Sequence, residues 1–299
     1  MRRTVLAVLA IACLVTQPAR TQPRGLKVHI SVDMEGVAGV VTSDQLGPTG
    51  FEYGRFREFM TKEALAAVTA AKDAGATEIV VADAHGNGEN LLIEQFPHDV
   101  KIVRSWPRKL GMMAGIDQTF DAAIYIGYHA STTNPTGVRA HTFSSATLTR
   151  VALNGVEVTE GAWNAAIAGH FNVPVVMASG DDAAVAEIRK VIGNIEGAET
   201  KKSLGFHSAL TVTPQAAVAD IAAKVKAGLG RRSSFTPYKP QGPLVVDVSF
   251  KHYLQAEVLA YLPMFERTNA HTVRFRPKDM AEAATIMEFI DEYRSDLTP

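Results

Sequence analysis

The sequence predicts an α/β protein: a mostly parallel sheet flanked by helices, followed by a smaller C-terminal α+β lobe. Three observations predict it. Short apolar runs of strand length alternate with longer amphipathic runs through the first two thirds of the chain. Several of the short runs, "EIVVAD" above all, are continuously apolar, as in a sheet covered on both faces. The composition, 46% hydrophobic and 20% charged over 299 residues, is enough for one or two domains with a large core.

The elements follow in order. "LKVHISVD" (26–33) reads as a strand, and "YGRFREFMTKEALAAVTAAKDAGA" (53–76) as a long amphipathic helix closed by Gly75. "EIVVAD" (78–83) is the next strand, running into the loop "AHGNGEN". "VKIVRSW" (100–106) and "DAAIYIGYH" (121–129) read as two more. Asn154-Gly155, between β-rich runs, is a hairpin signal. Helix 159–171, strand 173–179 and helix 181–192 complete an α/β domain over residues 25–195. The second lobe, 196–299, holds helix 213–229, strand 243–250, helix 253–262, strand 271–277 and helix 279–293. A Pro- and Ser-containing loop, "GRRSSFTPYKPQGP", interrupts it. The order of the strands is not readable from the sequence.

Residues 1–24 stand apart. Arg2 and Arg3 precede an apolar run from Val5 to Val15 and then a polar, Pro-containing stretch. That run is short for a bilayer span but fits the h-region of an export signal, with cleavage expected after Ala19 and no transmembrane span in the mature form. The expected address is periplasmic or extracellular. "AIAC" also resembles a lipobox, which leaves a lipid-anchored form through Cys13 open. Cys13 is the single cysteine, so disulfides, cysteine catalysis and thiolate zinc sites are excluded from the mature chain. A formal net charge of −1 gives no electrostatic basis for nucleic-acid binding.

In open α/β sheets ligands gather at the carboxyl ends of the strands. "KVHISVDME" delivers Asp33 and Glu35 there, "EIVVADAH" delivers Asp83 and His85, and "AAIYIGYH" delivers His129. Glu160 opens the helix at 159–171. The period of two puts Asp33 and Glu35 on one side of an extended chain, and likewise Asp83 and His85. Carboxylates and imidazoles converging without cysteine are ligand chemistry for zinc, or for manganese or cobalt. Asp33, Glu35, His85, His129 and Glu160 exceed the three protein ligands of a usual catalytic zinc, which suggests two metals sharing a carboxylate. Asp83 reads as a turn residue or as an acceptor that orients His85.

Five blocks carry a resemblance: "SVDMEGVAGV", "VVADAHGN", "YIGYHAS", "GVRAHTF" and "VTEGAWNAAIAGHFNVPVVMASGDD". In this order they resemble the zinc-dependent D-aminopeptidase (DppA-like) family, with weaker agreement at "QAEVLAYLP" and "VRFRPKDMAEA". The resemblance implies a dinuclear zinc centre, two Zn2+ per subunit, that releases N-terminal D-amino acids from short peptides. It implies metal ligands at Asp33, Glu35, His85, His129 and Glu160, a catalytic histidine at His141, and a homo-oligomeric ring such as a decamer. A one-residue insertion in "ASTTNPTGVRAH" and the export signal depart from the family pattern. Two other readings stay open: a dinuclear amidase or phosphoesterase, and an exported binding protein of two α/β lobes. Asp181 and Asp182 are candidates for pairing with a substrate α-ammonium group.

Overall fold

The computed structural model describes residues 25–293; the expected export signal and Cys13 lie outside them. The elements begin with β1 (Leu26–Val32), α1 (Tyr53–Asp73), β2 (Ala76–Asp83), β3 (Val100–Val103) and β4 (Ala122–Tyr128). A hairpin, β5 (Leu148–Leu153) and β6 (Val156–Glu157), precedes α2 (Glu160–His170), β7 (Val175–Asp181) and α3 (Asp182–Ile192). There follow β8 (Glu196–Gly205), β9 (Ser208–Thr211), α4 (Pro214–Gly230), β10 (Val246–Phe250) and α5 (Tyr253–Leu259). The last are β11 (Glu266–Asn269), β12 (Thr272–Phe275) and α6 (Met280–Glu292).

The larger sheet has the order β3-β2-β1-β4-β7-β8-β9 and is parallel except for β9. The chain adds strands outward from β1 on one side and then returns to place β4 on the other. The switch point of the topology therefore falls between β1 and β4. Val32 pairs with Asp83 on one side and Ile126 on the other, so three strands end level with one another.

Both faces of this sheet are covered, and the side-chain period of two divides its residues between two cores. Along β4, Ile124 and Ile126 enter the core beneath α1 and α4, whereas Ala123 and Tyr125 enter the opposite one. Each such isoleucine, fully buried, contributes roughly 1.5–3 kcal/mol of transfer free energy. α1 presents Phe56, Met60, Ala64, Ala67 and Ala71 at helical spacing to the first core. It ends where Gly75, at φ +93, turns the chain back. Thr159, Asp181, Thr213 and Asp279 cap the N-termini of α2, α3, α4 and α6 through their side chains.

The second sheet, β11-β12-β10-β5-β6, is antiparallel and packs into the other core with α2 and α6. The two sheets interleave across residue 195, where the sequence reading sets its boundary. The Asn154-Gly155 hairpin pairs with β10, about a hundred residues later, and β8 and β9 extend the large sheet. The reason is edge satisfaction: β5 and β7 each expose a row of backbone groups that only these later strands cover. Among the described residues no helix is long and apolar enough to cross a membrane.

Candidate metal centre

The level ends of β1, β2 and β4 bring Asp33, Glu35, His85 and His129 together, and Glu160 at the start of α2 and His141 from the segment between β4 and β5 join them. Past β1 the backbone turns sharply. Asp33 donates its amide to the Ile126 carbonyl (2.8 Å) and Gly36 to that of Gly127 (2.7 Å), which seats the loop on the end of β4. Gly36 is required there, since a Cβ would stand 2.1 Å from the Tyr128 carbonyl oxygen. Gly127, at φ +73, breaks the strand alternation just before His129.

Asp33 occupies the middle. Its Oδ1 lies 3.2 Å from His85 Nδ1 and its Oδ2 lies 3.3 Å from His129 Nε2. Glu35 Oε2 is 2.9 Å from His85 Nδ1, and Glu160 Oε2 is 3.2 Å from His129 Nε2. Two groups of donor atoms result, Asp33–Glu35–His129 and His129–His141–Glu160, with the atoms in each within 4.8 Å of one another. All of these side chains are buried except that of His141, which is partly exposed at the edge of the cavity.

The outer ring nitrogens define what the inner ones can do. His85 Nε2 donates to the Leu46 carbonyl (2.7 Å), His129 Nδ1 to that of Ala130 (3.0 Å) and His141 Nδ1 to that of Arg139 (2.8 Å). In the neutral ring each of these bonds leaves the inward nitrogen as a lone pair, the arrangement found around metal-ligating imidazoles. Asp33 Oδ2, Glu35 Oε2 and His129 Nε2 are buried and make no hydrogen bond. Three orphaned buried ligand atoms converging from the ends of two strands, β1 and β4, fit a divalent cation, and an all-nitrogen-and-oxygen donor set fits zinc.

The electrostatics carry the same demand. Burial opposes charge on every member. For Asp33, burial and the neighbouring Glu35 charge both raise the carboxyl above its usual range. Glu35 is pulled well below it despite burial, chiefly by His85. Burial works against charging His85 and His129, yet the facing carboxylates hold both imidazoles well above their ordinary value. His141 goes the other way: burial, then the charge of His129, lowers it, so it is neutral at pH 7. Three carboxylates buried together with two imidazoles call for compensating positive charge, which bound cations would supply.

The centre floors a cavity of about 240 Å3. Trp106 stands on one side, Phe143 and Ser144 on another, and Glu288, Asp291 and Glu292 of α6 form an acidic wall. None of these was singled out from the sequence, because they reach the cavity from segments with no local signature. A larger groove, about 720 Å3 between α1 and α4, is lined mainly by aliphatic groups and holds no such constellation.

Three comparisons bear on this geometry. A family profile described as D-aminopeptidase matches residues 26–289. The chain belongs to the D-aminopeptidase family. A D-aminopeptidase of Bacillus subtilis (strain 168) is 31% identical over 268 residues, which span 89% of this chain and 97% of the relative. The solved structure of the Zn-dependent D-aminopeptidase DppA from Bacillus subtilis, described as a self-compartmentalizing protease, superposes with a TM-score of 0.86 at 30% identity. It covers 91% of this chain and 100% of its own.

Within this D-aminopeptidase fold Asp83 takes the turn role of its two readings, and the expectation for Asp181 and Asp182 is corrected. Asp83 does not touch the His85 ring; it accepts the amides of Asn90 (2.6 Å) and Leu91 (2.7 Å) and ties off the loop that carries His85. The Leu46 carbonyl orients the ring instead. Asp181 and Asp182 do not line the cavity. Asp181 caps α3 through Ala184 N and accepts Val138 N, and Asp182 accepts Ser203 N. Short acidic side chains at a helix start satisfy free amides first.

Proposed function

We propose that the protein is a zinc-dependent aminopeptidase that releases an N-terminal D-amino acid, of the D-alanine type, from short peptides at a dinuclear centre. The observation that carries the reading is the Asp33 carboxylate, whose two oxygens face His85 and His129 separately. Asp33, Glu35, His85, His129 and Glu160 would hold the metals between them. Membership of the D-aminopeptidase family supports the reaction, and the zinc dependence of DppA supports the metal. Zinc, when bound, supplies Lewis acidity toward a peptide carbonyl and toward water.

The chain's own groups supply the remainder. His141 Nε2, neutral and turned inward, takes a proton from the attacking water and delivers it to the leaving amine nitrogen. The Arg139 carbonyl holds the tautomer that leaves Nε2 able to accept. The acidic wall of α6 suits the free α-ammonium of a peptide. Trp106 and Phe143 narrow the cavity, which suits short substrates. We propose further that the protein is exported, on the strength of the apolar run Val5 to Val15. A homo-oligomeric assembly is proposed from the self-compartmentalizing description of DppA.

The test is a substrate panel before and after chelation, with zinc add-back. D-alanyl p-nitroanilide should be cleaved faster than its L counterpart, should fail after chelation and should recover with zinc. Faster turnover of p-nitrophenyl phosphate would favour a phosphoesterase. Activity indifferent to chelation would overturn the metal reading.

A further inference from the structure

The loop that launches Asp33 and Glu35 is buried from Met34 to Ala38 and again at Val40. Its peptide groups therefore need partners inside the protein. Those partners come from elements remote in sequence. Lys201 of β8 is 2% exposed. Its ammonium donates to the carbonyls of Glu35, Val37 (2.9 Å) and Val40 (2.8 Å). Thr200 Oγ1 donates to the Gly36 carbonyl, and Thr211 Oγ1 of β9 accepts the Gly39 amide (2.8 Å). Glu63 of α1 accepts the Ala38 amide (2.9 Å).

Three carbonyls aimed at one point create a pocket of negative potential that only a cation or a multiple donor can fill. An ammonium with three donors matches it one for one. The Glu35 carbonyl is among the three, so the backbone from which the Glu35 side chain springs is fixed by a residue more than 160 positions away. Lys201 does not line the cavity.

We infer that Lys201 is a positioning residue for the metal centre: its ammonium, clamped among the Glu35, Val37 and Val40 carbonyls, places the Glu35 carboxylate and so sets the affinity for zinc. The inference rests on Asp33 and Glu35 being ligands. In a metal site, loss of an outer partner that orients a ligand weakens metal binding about tenfold to a hundredfold.

The experiment measures zinc binding to the full chain by competition with a chromogenic chelator, at a temperature where circular dichroism shows each variant folded. Lys201→Met should bind zinc at least about tenfold more weakly than the wild type. Lys201→Gln, which keeps two donors, should recover part of that loss. Val225→Ala, a core truncation on α4 away from the centre, is the control for lowered stability and should bind zinc as the wild type does. Unchanged affinity in Lys201→Met, or an equal loss in Val225→Ala, would overturn the inference. Failure of both Lys201 variants to fold would overturn it as well, since the residue would then serve the fold as a whole. Glu35→Ala separates the two layers. If it binds zinc like the wild type, the ligand reading fails. If it loses zinc while Lys201→Met does not, only the positioning role fails.

Discussion

The imidazoles of His129 and His141 stack with centroids 4.0 Å apart and planes 9° from parallel. One faces two carboxylates with its inner nitrogen, and the other reaches no closer than 3.8 Å to Glu160 Oε1. Two rings of the same residue type in contact thus have different surroundings: burial, and after it the charge of His129, lowers His141, whereas the facing carboxylates raise His129. For His141→Ala we expect bound zinc to be retained and kcat to fall by about 10²–10⁴, the usual contribution of a general acid–base group. Elemental analysis beside steady-state kinetics checks both halves, and near-normal turnover would make His141 a packing residue.

Removal of a ligand should give the opposite pattern. His85→Ala and Glu160→Ala should lose bound metal together with activity, because each leaves facing carboxylates or imidazoles without their common partner. Full zinc content in both variants would refute their assignment.

Glu63 predicts a pH dependence away from the centre. Burial raises its carboxyl to about 7, against a weaker lowering by the Ala38 amide and Lys201. A carboxyl raised on folding is protonated in the fold when the unfolded chain has already released its proton. Its contribution to stability is therefore fully present below the ordinary value near 4.5 and declines as pH rises toward 7. Glu63→Gln keeps an acceptor for Ala38 and cannot titrate. The stability lost between about pH 4.5 and pH 7.5 should shrink by on the order of 3 kcal/mol relative to the wild type. Denaturant melts at the two pH values measure it, and parallel pH profiles for the two proteins would contradict the prediction.

Gly36→Ala should be far more damaging than an ordinary glycine substitution. The added Cβ would meet backbone atoms of Gly127 and Tyr128 at 2.1–2.7 Å, and backbone cannot swing aside as a side chain does. We expect a loss of stability on the order of 3 kcal/mol or more, together with loss of zinc. A thermal melt and a zinc titration would show it; a variant as stable as the wild type would mean that the β4 end yields.

The candidate centre was legible because strand ends are legible. "VDME", "ADAH" and "GYH" place their polar residues immediately after apolar runs, and the sheet sets those ends level. The hairpin at Asn154-Gly155 was readable for the same local reason. What reaches the centre from afar was not. β8 and β9, "EGAETKKSLG" and "SALT", carry too few apolar residues to read as strands, and they lie at the edge of the sheet. Lys201 reads as surface charge beside Lys202; only the packed fold shows that one is buried and the other exposed. Asp83 lies two residues from His85, yet the amides of Asn90 and Leu91, seven and eight residues on, take its carboxylate, and those of Ala184 and Val138 take that of Asp181.

The interleaving of the two sheets has a consequence for how the chain can be divided. A cut at residue 195 would strand the β5–β6 ribbon without β10 and leave β7 with a bare hydrogen-bonding edge. Each fragment would carry half of a ladder whose complement sits on the other, a situation that promotes intermolecular pairing. The catalytic floor and its distant supports would have to be made, folded and inherited together. Shuffling the first half onto a different partner would yield a sticky, incomplete sheet instead of a portable hydrolase module.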